Sequence, residues 1–301
     1  MVKAGRRWAR LLQVSLHAAS SRIRGANRIA SAVAQELVNT MGLLGLFKQE
    51  PPPPSAFLEG RVGYAVGDIH GSVDLLAKML MKLDAVAAAD TRPAGPPIVV
   101  FLGDYVDRGS KPKAVLDLLL EQRPREFERH YLKGNHEQAM LAFLDEPLTN
   151  RAWVMHGGAE TLRSYGVAPP PTVGGDDKVW VDAAQQLKAV LPPSHLEFLQ
   201  GLERYLVLGD YAFVHAGVDT SRSIEEQTDA DLYWSRGRFL ADKRRFSHRI
   251  VHGHTPVERP YADQRRIAVD TGAYASGTLT AARFEGEMVS FIAVTAREPA
   301  L

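Results

Sequence analysis

The 301-residue chain contains no cysteine and has no large excess of charge of either sign. The absence of cysteine excludes disulfides, thiolate metal sites and a thiol nucleophile, so any metal must be held by His, Asp, Glu or Asn. With 36 basic and 35 acidic side chains, the composition gives no reason to expect nucleic acid as a partner. No apolar run approaches the ~20 residues that cross a bilayer, so we expect a cytoplasmic protein.

The basic residues are concentrated near the start of the chain. Residues 1–48 contain eight basic side chains against Glu36 as the single acid, and apolar residues recur every three or four positions from Trp8 to Leu37. This pattern predicts an amphipathic helix that suits peripheral contact with an anionic membrane or a partner protein. A solvated or self-packed extension and an organelle transit peptide fit the same pattern. The predicted organisation is a basic extension over 1–50, a Pro-rich linker over 51–60, and a folded domain over 61–301 with a cap-like insertion at about 145–200.

Phe101 to Gly109, which spells FLGDYVDRG, is the most informative stretch. The apolar residues 97–102 predict a buried strand before it, and residues 111–122 predict an amphipathic helix after it. Ligands bind to open α/β sheets where a strand passes through a loop into a helix. Asp104 is therefore the candidate for the centre of a site.

Similar junctions between a strand and a Gly-rich turn occur at four other places. One such residue alone is usually structural, but five junctions that each carry a polar side chain indicate a common site. Asp68 and His70 are two positions apart, so on an extended segment both point to one side and suit a single metal ion. The five junctions contribute Asp68, His70, Asp104, Asn135, His136, His215 and His254.

These motifs, in this order, resemble the signature of metallophosphoesterases of the phosphoprotein phosphatase family, especially its bacterial serine/threonine branch. The resemblance extends from about Arg61 to the C-terminus. It implies an α/β fold in which two packed mixed β-sheets are flanked by helices, an α-β-β-α sandwich; the residues alone indicate only a mixed α/β class. Strands predicted between Ile267 and Val294 are assigned as closing strands of the second sheet. The matching motifs are Gly67–Gly71, Gly103–Gly109, Gly134–Glu137, His215–Gly217 and Gly253–Pro256.

The resemblance further implies two divalent metal ions, with manganese favoured and iron or zinc as alternatives. Asp68 and His70 would hold the first ion, Asn135, His215 and His254 the second, and Asp104 would bridge them. A hydroxide activated by this dinuclear centre would attack phosphorus in line. His252 is assigned a structural role, and the assignment of His254 fails if His252 takes its place.

The remaining motif residues are implied to act on the substrate. His136 would be the general acid, and Asp107 would orient it and raise its basicity. Arg108, Arg236 and Asn135 would contact phosphate oxygens.

Three functions fit this set. The leading one is a serine/threonine protein phosphatase that acts on a phosphorylated protein or peptide. The second is a hydrolase of dinucleoside polyphosphates such as diadenosine tetraphosphate, and the third is a catalytically silent phosphoprotein-binding module. The dinucleotide hydrolases that share the fold tend to have Ala at the position of Asp107 and Asp at that of Glu137, so this sequence favours the phosphatase.

Overall fold

The computed structural model describes residues 55–90, 94–121, 127–171 and 176–298. The predicted amphipathic helix and the proline run of the linker lie outside these residues. Packed structure begins before Arg61. Phe57 is only 4% exposed, and its backbone N–H donates to the carbonyl of Gly286 at 2.7 Å. None of the described helices is long and apolar enough to cross a membrane.

Ten strands and nine α-helices are formed by the described residues. The strands are β1 (Val62–Val66), β2 (Ile98–Phe101), β3 (Glu128–Tyr131), β4 (Leu206–Leu208), β5 (Tyr211–Phe213), β6 (Arg249–His252), β7 (Tyr261–Ala262), β8 (Arg266–Ala268), β9 (Thr278–Glu285) and β10 (Met288–Thr295). The helices are α1 (Val73–Ala89), α2 (Pro112–Leu120), α3 (Asn135–Asp145), α4 (Ala159–Ser164), α5 (Asp177–Val190), α6 (Pro193–Gln200), α7 (Asp229–Trp234), α8 (Gly237–Ala241) and α9 (Ala273–Ser276). A π-helical turn at Val154–Gly158 precedes α4.

The strands form two five-stranded mixed sheets. The first has the order β10-β9-β1-β2-β3, in which β1, β2 and β3 are parallel to one another. The second has the order β4-β5-β6-β8-β7, in which β5, β6 and β8 are parallel. The carboxyl ends of β1, β2, β3, β5 and β6 lead into the predicted site segments.

The alternation of side chains along each strand explains how the helices and sheets are layered. In β1, Tyr64 and Val66 join a core cluster with α1, α2 and α3, whereas Ala65 joins a cluster with Phe213 and Val251 of the second sheet. Side chains of neighbouring positions point to opposite faces of a strand, so both faces of the first sheet are covered. The second sheet packs its other face on α7 and α8. The predicted α-β-β-α sandwich is confirmed.

The assignment of the C-terminal strands differs from the prediction. Only β8 belongs to the second sheet, whereas β9 pairs antiparallel with β1 and β10 pairs with β9 in the first sheet. The pairing partner of a strand is set by contacts across the whole chain, which alternation within the strand does not encode. As a result, β1, which leads to Asp68, lies between two paired strands, β9 and β2.

The helical residues between 146 and 200 share the core of the main domain. Trp153 and Leu162 are buried in the same cluster as α1, α2 and α3, and α5 and α6 contribute Trp180 and Leu199 to it. This segment therefore packs directly behind the loops that follow β2 and β3.

Candidate active site

Ten residues were predicted for the site, and the structure brings them to one end of the two sheets. Eight of them are buried, while Arg108 and Arg236 retain access to solvent. Nine of them follow β1, β2 and β3 of the first sheet or β5 and β6 of the second, and Arg236 lies between α7 and α8. Asn135 and His136 lie in the first turn of α3 rather than in a loop before it. The buried eight are Asp68, His70, Asp104, Asp107, Asn135, His136, His215 and His254.

One group of donor atoms gathers around Asn135. Its side-chain Oδ1 lies 3.0 Å from His215 Nε2 and 2.8 Å from His254 Nδ1, and the two imidazole nitrogens are 3.2 Å apart. Asp104 Oδ1 is 3.4 Å from His215 Nε2. His215 Nδ1 is 2.7 Å from the carbonyl oxygen of Leu102, so that nitrogen carries the proton and Nε2 presents a lone pair. Asn135 Oδ1, Asp104 Oδ1 and His215 Nε2 therefore direct lone pairs into one small volume.

A second group shares Asp104 with the first. The other carboxylate oxygen, Oδ2, lies 3.3 Å from His70 Nε2 and 3.9 Å from His136 Nε2. His70 Nδ1 is 2.9 Å from the carbonyl oxygen of Val106, which fixes Nε2 as the lone-pair nitrogen. Asp104 thus faces His70 with one oxygen and His215 with the other, the geometry expected of a bridging ligand.

Asp68 adds a carboxylate that the second sheet holds. The backbone N–H of His254 lies 3.1 Å from each of its oxygens. Burial, together with the carboxylates of Asp270 and Asp104, raises the pKa of Asp68 well above its ordinary value. Asp270, buried in the loop after β8, was not predicted, because a single Asp after a short strand carries no motif.

The donor set fits divalent metal ions. Ligands about 2.1 Å from an ion and at right angles to one another lie roughly 3 Å apart, which matches the spacing around Asn135. A cation would also offset the repulsion among three buried carboxylates, and imidazole, amide and carboxylate donors suit manganese, iron and zinc alike. His70, Asp104 and His136, and Asp104, His215 and His254, each place donor atoms within 4.8 Å of one another.

The site loops adopt unusual backbone conformations. Among the described residues, the non-glycine positions with positive φ are His70, Asp104, Asp107, Arg108 and His254, with angles from 45° to 71°. Each such residue costs about 1–3 kcal/mol, so surrounding contacts must hold it. All five were predicted as site residues, which associates the strain with the site.

Glu137 supplies the contacts that hold the loop after β2. Its Oε2 accepts the N–H groups of Asp104 and Gly134, both at 2.9 Å, and its Oε1 accepts those of Tyr105 at 2.8 Å and Val106 at 3.2 Å. Burial, with the nearby Asp104 carboxylate, raises the pKa of Glu137 to about 7. The sequence analysis used Glu137 only to compare families and missed this structural role.

Two glycines make room for the carboxylates. A Cβ on Gly134 would come within 2.1 Å of Asp104 Oδ1, and one on Gly253 within 2.1 Å of Asp68 Oδ1. Both motifs therefore require glycine because a carboxylate occupies the space of the side chain.

His136 is held by a buried Asp107. Its Nδ1 lies 2.6 Å from Asp107 Oδ2, and that oxygen also accepts the indole N–H of Trp153 at 2.8 Å. The hydroxyl of Thr161 donates to Asp107 Oδ1 at 2.5 Å. Although burial opposes protonation, Asp104 and Asp107 raise the pKa of His136 above its ordinary value. Trp153 and Thr161 come from the helical segment and had no signal in the sequence that linked them to Asp107.

The two arginines lie at the open side of the site. Arg108 Nη1 is 3.1 Å from His70 Nε2, and its guanidinium stands 5.3 Å from the ring centre of Tyr274. Arg236 Nε donates to His254 Nε2 at 2.8 Å. Both arginines line a cavity of about 530 Å³ together with Asn135 and His136. A phosphate beside the metal donors would thus meet two guanidinium groups.

His252 stands apart from the donor groups. It is buried against Phe239, and its Nε2 lies 3.0 Å from Arg266 Nη1. Its Nδ1 is 3.0 Å from the carbonyl oxygen of Gly253. Both ring nitrogens of His252 therefore have partners outside the donor groups, whereas His254 Nδ1 faces Asn135.

The model of the calcineurin-like phosphoesterase family matches residues 64–285, which is most of the chain. The chain therefore belongs to the calcineurin-like phosphoesterase family, and it is a phosphoester hydrolase by class. The match runs from β1 to the end of β9 and includes all ten predicted site residues.

Similar curated proteins come from bacteria. A bis(5′-nucleosyl)-tetraphosphatase PrpE (asymmetrical) of Geobacillus thermodenitrificans is 28% identical over 73% of this chain and 89% of its own length. The protein of the same name from Halalkalibacterium halodurans is 26% identical over 78% of this chain and 94% of its own length.

Two phosphatases are among the solved structures to which the chain is similar. A cold-active protein-tyrosine phosphatase of Shewanella is 18% identical, with a TM-score of 0.48 over 79% of this chain and 82% of that one. A protein serine/threonine phosphatase of Saccharomyces cerevisiae is 15% identical, with a TM-score of 0.46 over 82% of this chain and 85% of that one.

Proposed function

We propose that this chain is a metal-dependent hydrolase of dinucleoside tetraphosphates that cleaves them asymmetrically. The observation that carries the choice of substrate is the match to relatives with that name over about nine-tenths of their length. The sequence analysis ranked this function second, behind a protein phosphatase. The comparisons favour the second-ranked function, since the curated relatives named above are tetraphosphatases.

The chain's own residues support hydrolysis at phosphorus. Asp68, His70, Asp104, Asn135, His215 and His254 would hold two divalent ions. Polarisation of the phosphoryl oxygens and activation of water is the chemistry that such ions supply. Arg108 and Arg236 would bind the charged oxygens of the phosphate chain, a task that suits a planar guanidinium. His136 keeps one proton on Nδ1 through Asp107, so its Nε2 can deliver a proton to the departing oxygen.

A serine/threonine protein phosphatase is the competing function. It is favoured by the hydrogen bond of 2.6 Å between Asp107 and His136, because an alkoxide leaving group needs a proton more than a phosphate does. The presence of Glu137 favours it as well.

One experiment decides between them. We would measure kcat/KM of manganese-loaded protein on diadenosine tetraphosphate, a phosphothreonine peptide and a phosphotyrosine peptide, with D104N as the inactive control. Dominant cleavage of the dinucleotide into ATP and AMP is the expected result. A preference for either phosphopeptide that disappears in D104N would establish the phosphatase instead, and no turnover of any substrate would favour a binding module.

A further inference from the structure

The cavity beside the arginines extends well beyond the groups that would bind phosphate. Asn135, Gln138, Ala139 and Ala142 line it from successive turns of one face of α3. Asn135 and Ala142 are seven residues apart, which corresponds to roughly 10 Å along a helix. A ligand whose phosphate lies at Asn135 can therefore place a second group against Ala142.

The outer part of this cavity has an aromatic wall. Trp234, at the end of α7, lines it and is 50% exposed. Its indole N–H donates to Gln138 Oε1 at 2.7 Å, so the ring is held in place although half of its surface is open. An exposed and fixed aromatic ring is the feature on which nucleobases stack in single-strand binding proteins.

The part of the cavity wall that α3 forms includes two small side chains. Because Ala139 and Ala142 have short side chains, the cavity beside this face of α3 has room for a flat group. At about 530 Å³, the cavity falls in the range that accommodates a ligand of nucleoside size.

The charge of the lining suits a nucleotide. The lining residues include Arg108, Arg236, His136 and His156 but no carboxylate among those that the structure describes. The two guanidinium groups bond to His70 and His254 at the end where phosphate would bind, whereas Ala139, Ala142 and Trp234 line the cavity beyond Asn135. This change from positively charged to uncharged side chains matches a phosphate chain followed by a nucleoside.

We propose that the outer cavity is a nucleoside subsite in which the base stacks on Trp234 and the sugar lies over Ala139 and Ala142. The proposal rests on the proposed function, since it places one nucleoside of the dinucleotide beside the reacting phosphate. Trp234 would be a specificity-determining residue rather than a group that acts on phosphorus.

The test compares nucleotide binding with phosphate binding. Dissociation constants of β,γ-methylene-ATP and of inorganic phosphate would be measured by calorimetry on manganese-loaded wild type and on W234A, W234F and A142L. F291A removes an aromatic side chain that is 37% exposed on β10, outside the cavity, and is the matched control. We expect about tenfold weaker nucleotide binding in W234A and A142L, largely restored binding in W234F, and no change in phosphate binding or in F291A.

Three results would overturn the subsite. Unchanged nucleotide binding in W234A is one, and equal weakening of nucleotide and phosphate is another, because it would indicate a general disturbance of the site. The third is a loss of kcat/KM in W234A for a phosphopeptide alone, which would assign the surface to peptide. Turnover of diadenosine tetraphosphate by wild type is measured separately. If Trp234 contributes to nucleotide binding but the dinucleotide is not cleaved, the subsite is supported and the proposed function is refuted.

Discussion

Two regions of the molecule meet at His136 and differ in what they contribute. The strand-end loops provide the candidate metal donors, and each donor is placed by the sheet that carries it: His215 follows β5 and Asp104 follows β2. The described residues of the helical segment from 146 to 200 provide no side chain to either donor group. The segment holds Asp107 through Trp153 and Thr161, and so it acts on His136 from behind. We expect the loops to define which chemistry is available and the segment to determine how well the proton of His136 is positioned.

The largest effect should come from Asp104, which faces both donor groups. We expect D104N to lose bound metal and at least about a thousandfold in kcat/KM, since the activation that metal ions provide amounts to several kcal/mol. Metal content by mass spectrometry and activity would be measured on the same samples, with circular dichroism as a check of folding. D74N, at a side chain that is 80% exposed, is the control and should match wild type. Full metal content in D104N would refute the bridging role.

The next effect concerns the proton that His136 is proposed to deliver to the leaving group. H136N should lower kcat by about 10² to 10⁴ for a substrate with a poor leaving group such as a phosphoserine peptide, the usual contribution of a general acid. With p-nitrophenyl phosphate the loss should be much smaller, because nitrophenolate departs without a proton. Equal losses on both substrates would argue against the acid role and for a part in metal binding, which the metal content would reveal.

A smaller effect should follow from removing the support behind Asp107. W153F removes the indole hydrogen bond to Asp107 Oδ2, and T161V removes the hydroxyl hydrogen bond to Asp107 Oδ1. We expect each variant to lower kcat by about tenfold, because loss of a contact that supports a functional side chain typically has an effect of this size. KM should change little. W180F is the matched control, because Trp180 is buried in the same segment and has no hydrogen bond to Asp107. If W180F loses as much activity as W153F, packing of the segment rather than the hydrogen bond is responsible.

The smallest effect concerns the attachment of the segment to α2. Burial lowers the pKa of His195 below its ordinary value, against the opposing effect of Asp117, whose carboxylate lies 3.0 Å from Nε2. Because the pKa of His195 is lower in the folded state than in the unfolded state, the histidine contributes to stability above the unfolded pKa of about 6.5. This contribution is lost as the pH falls through the pKa of the folded state. The melting temperature of wild type should therefore fall more between pH 7 and pH 5 than that of H195Q, by a few degrees. Parallel curves for the two proteins would show that His195 does not contribute.

The difference between the two regions also explains what sequence could predict. Donors such as His70 and His254 stand beside glycines at strand ends, and this local pattern was sufficient to select them. Thr161 is 54 residues from Asp107 and Trp153 is 46, so only the packed structure connects them. The pairing of β9 with β1 escaped prediction for the same reason. The role of Glu137 was missed although it lies in a motif, because its four partners are backbone groups that leave no trace in side-chain chemistry.

The contacts that hold the strained loops have a consequence for folding. His215 binds the carbonyl of Leu102 across 113 residues, and His254 binds Asp68 across 186. Contacts between such distant segments form slowly, since the entropy of closing the intervening chain is lost before the contact stabilises it. Metal affinity should then appear late in refolding, after most helical signal has returned, and stopped-flow circular dichroism run beside metal uptake would detect the delay. A nascent chain would complete its candidate metal centre only after β6 and the His254 loop had been synthesised and packed.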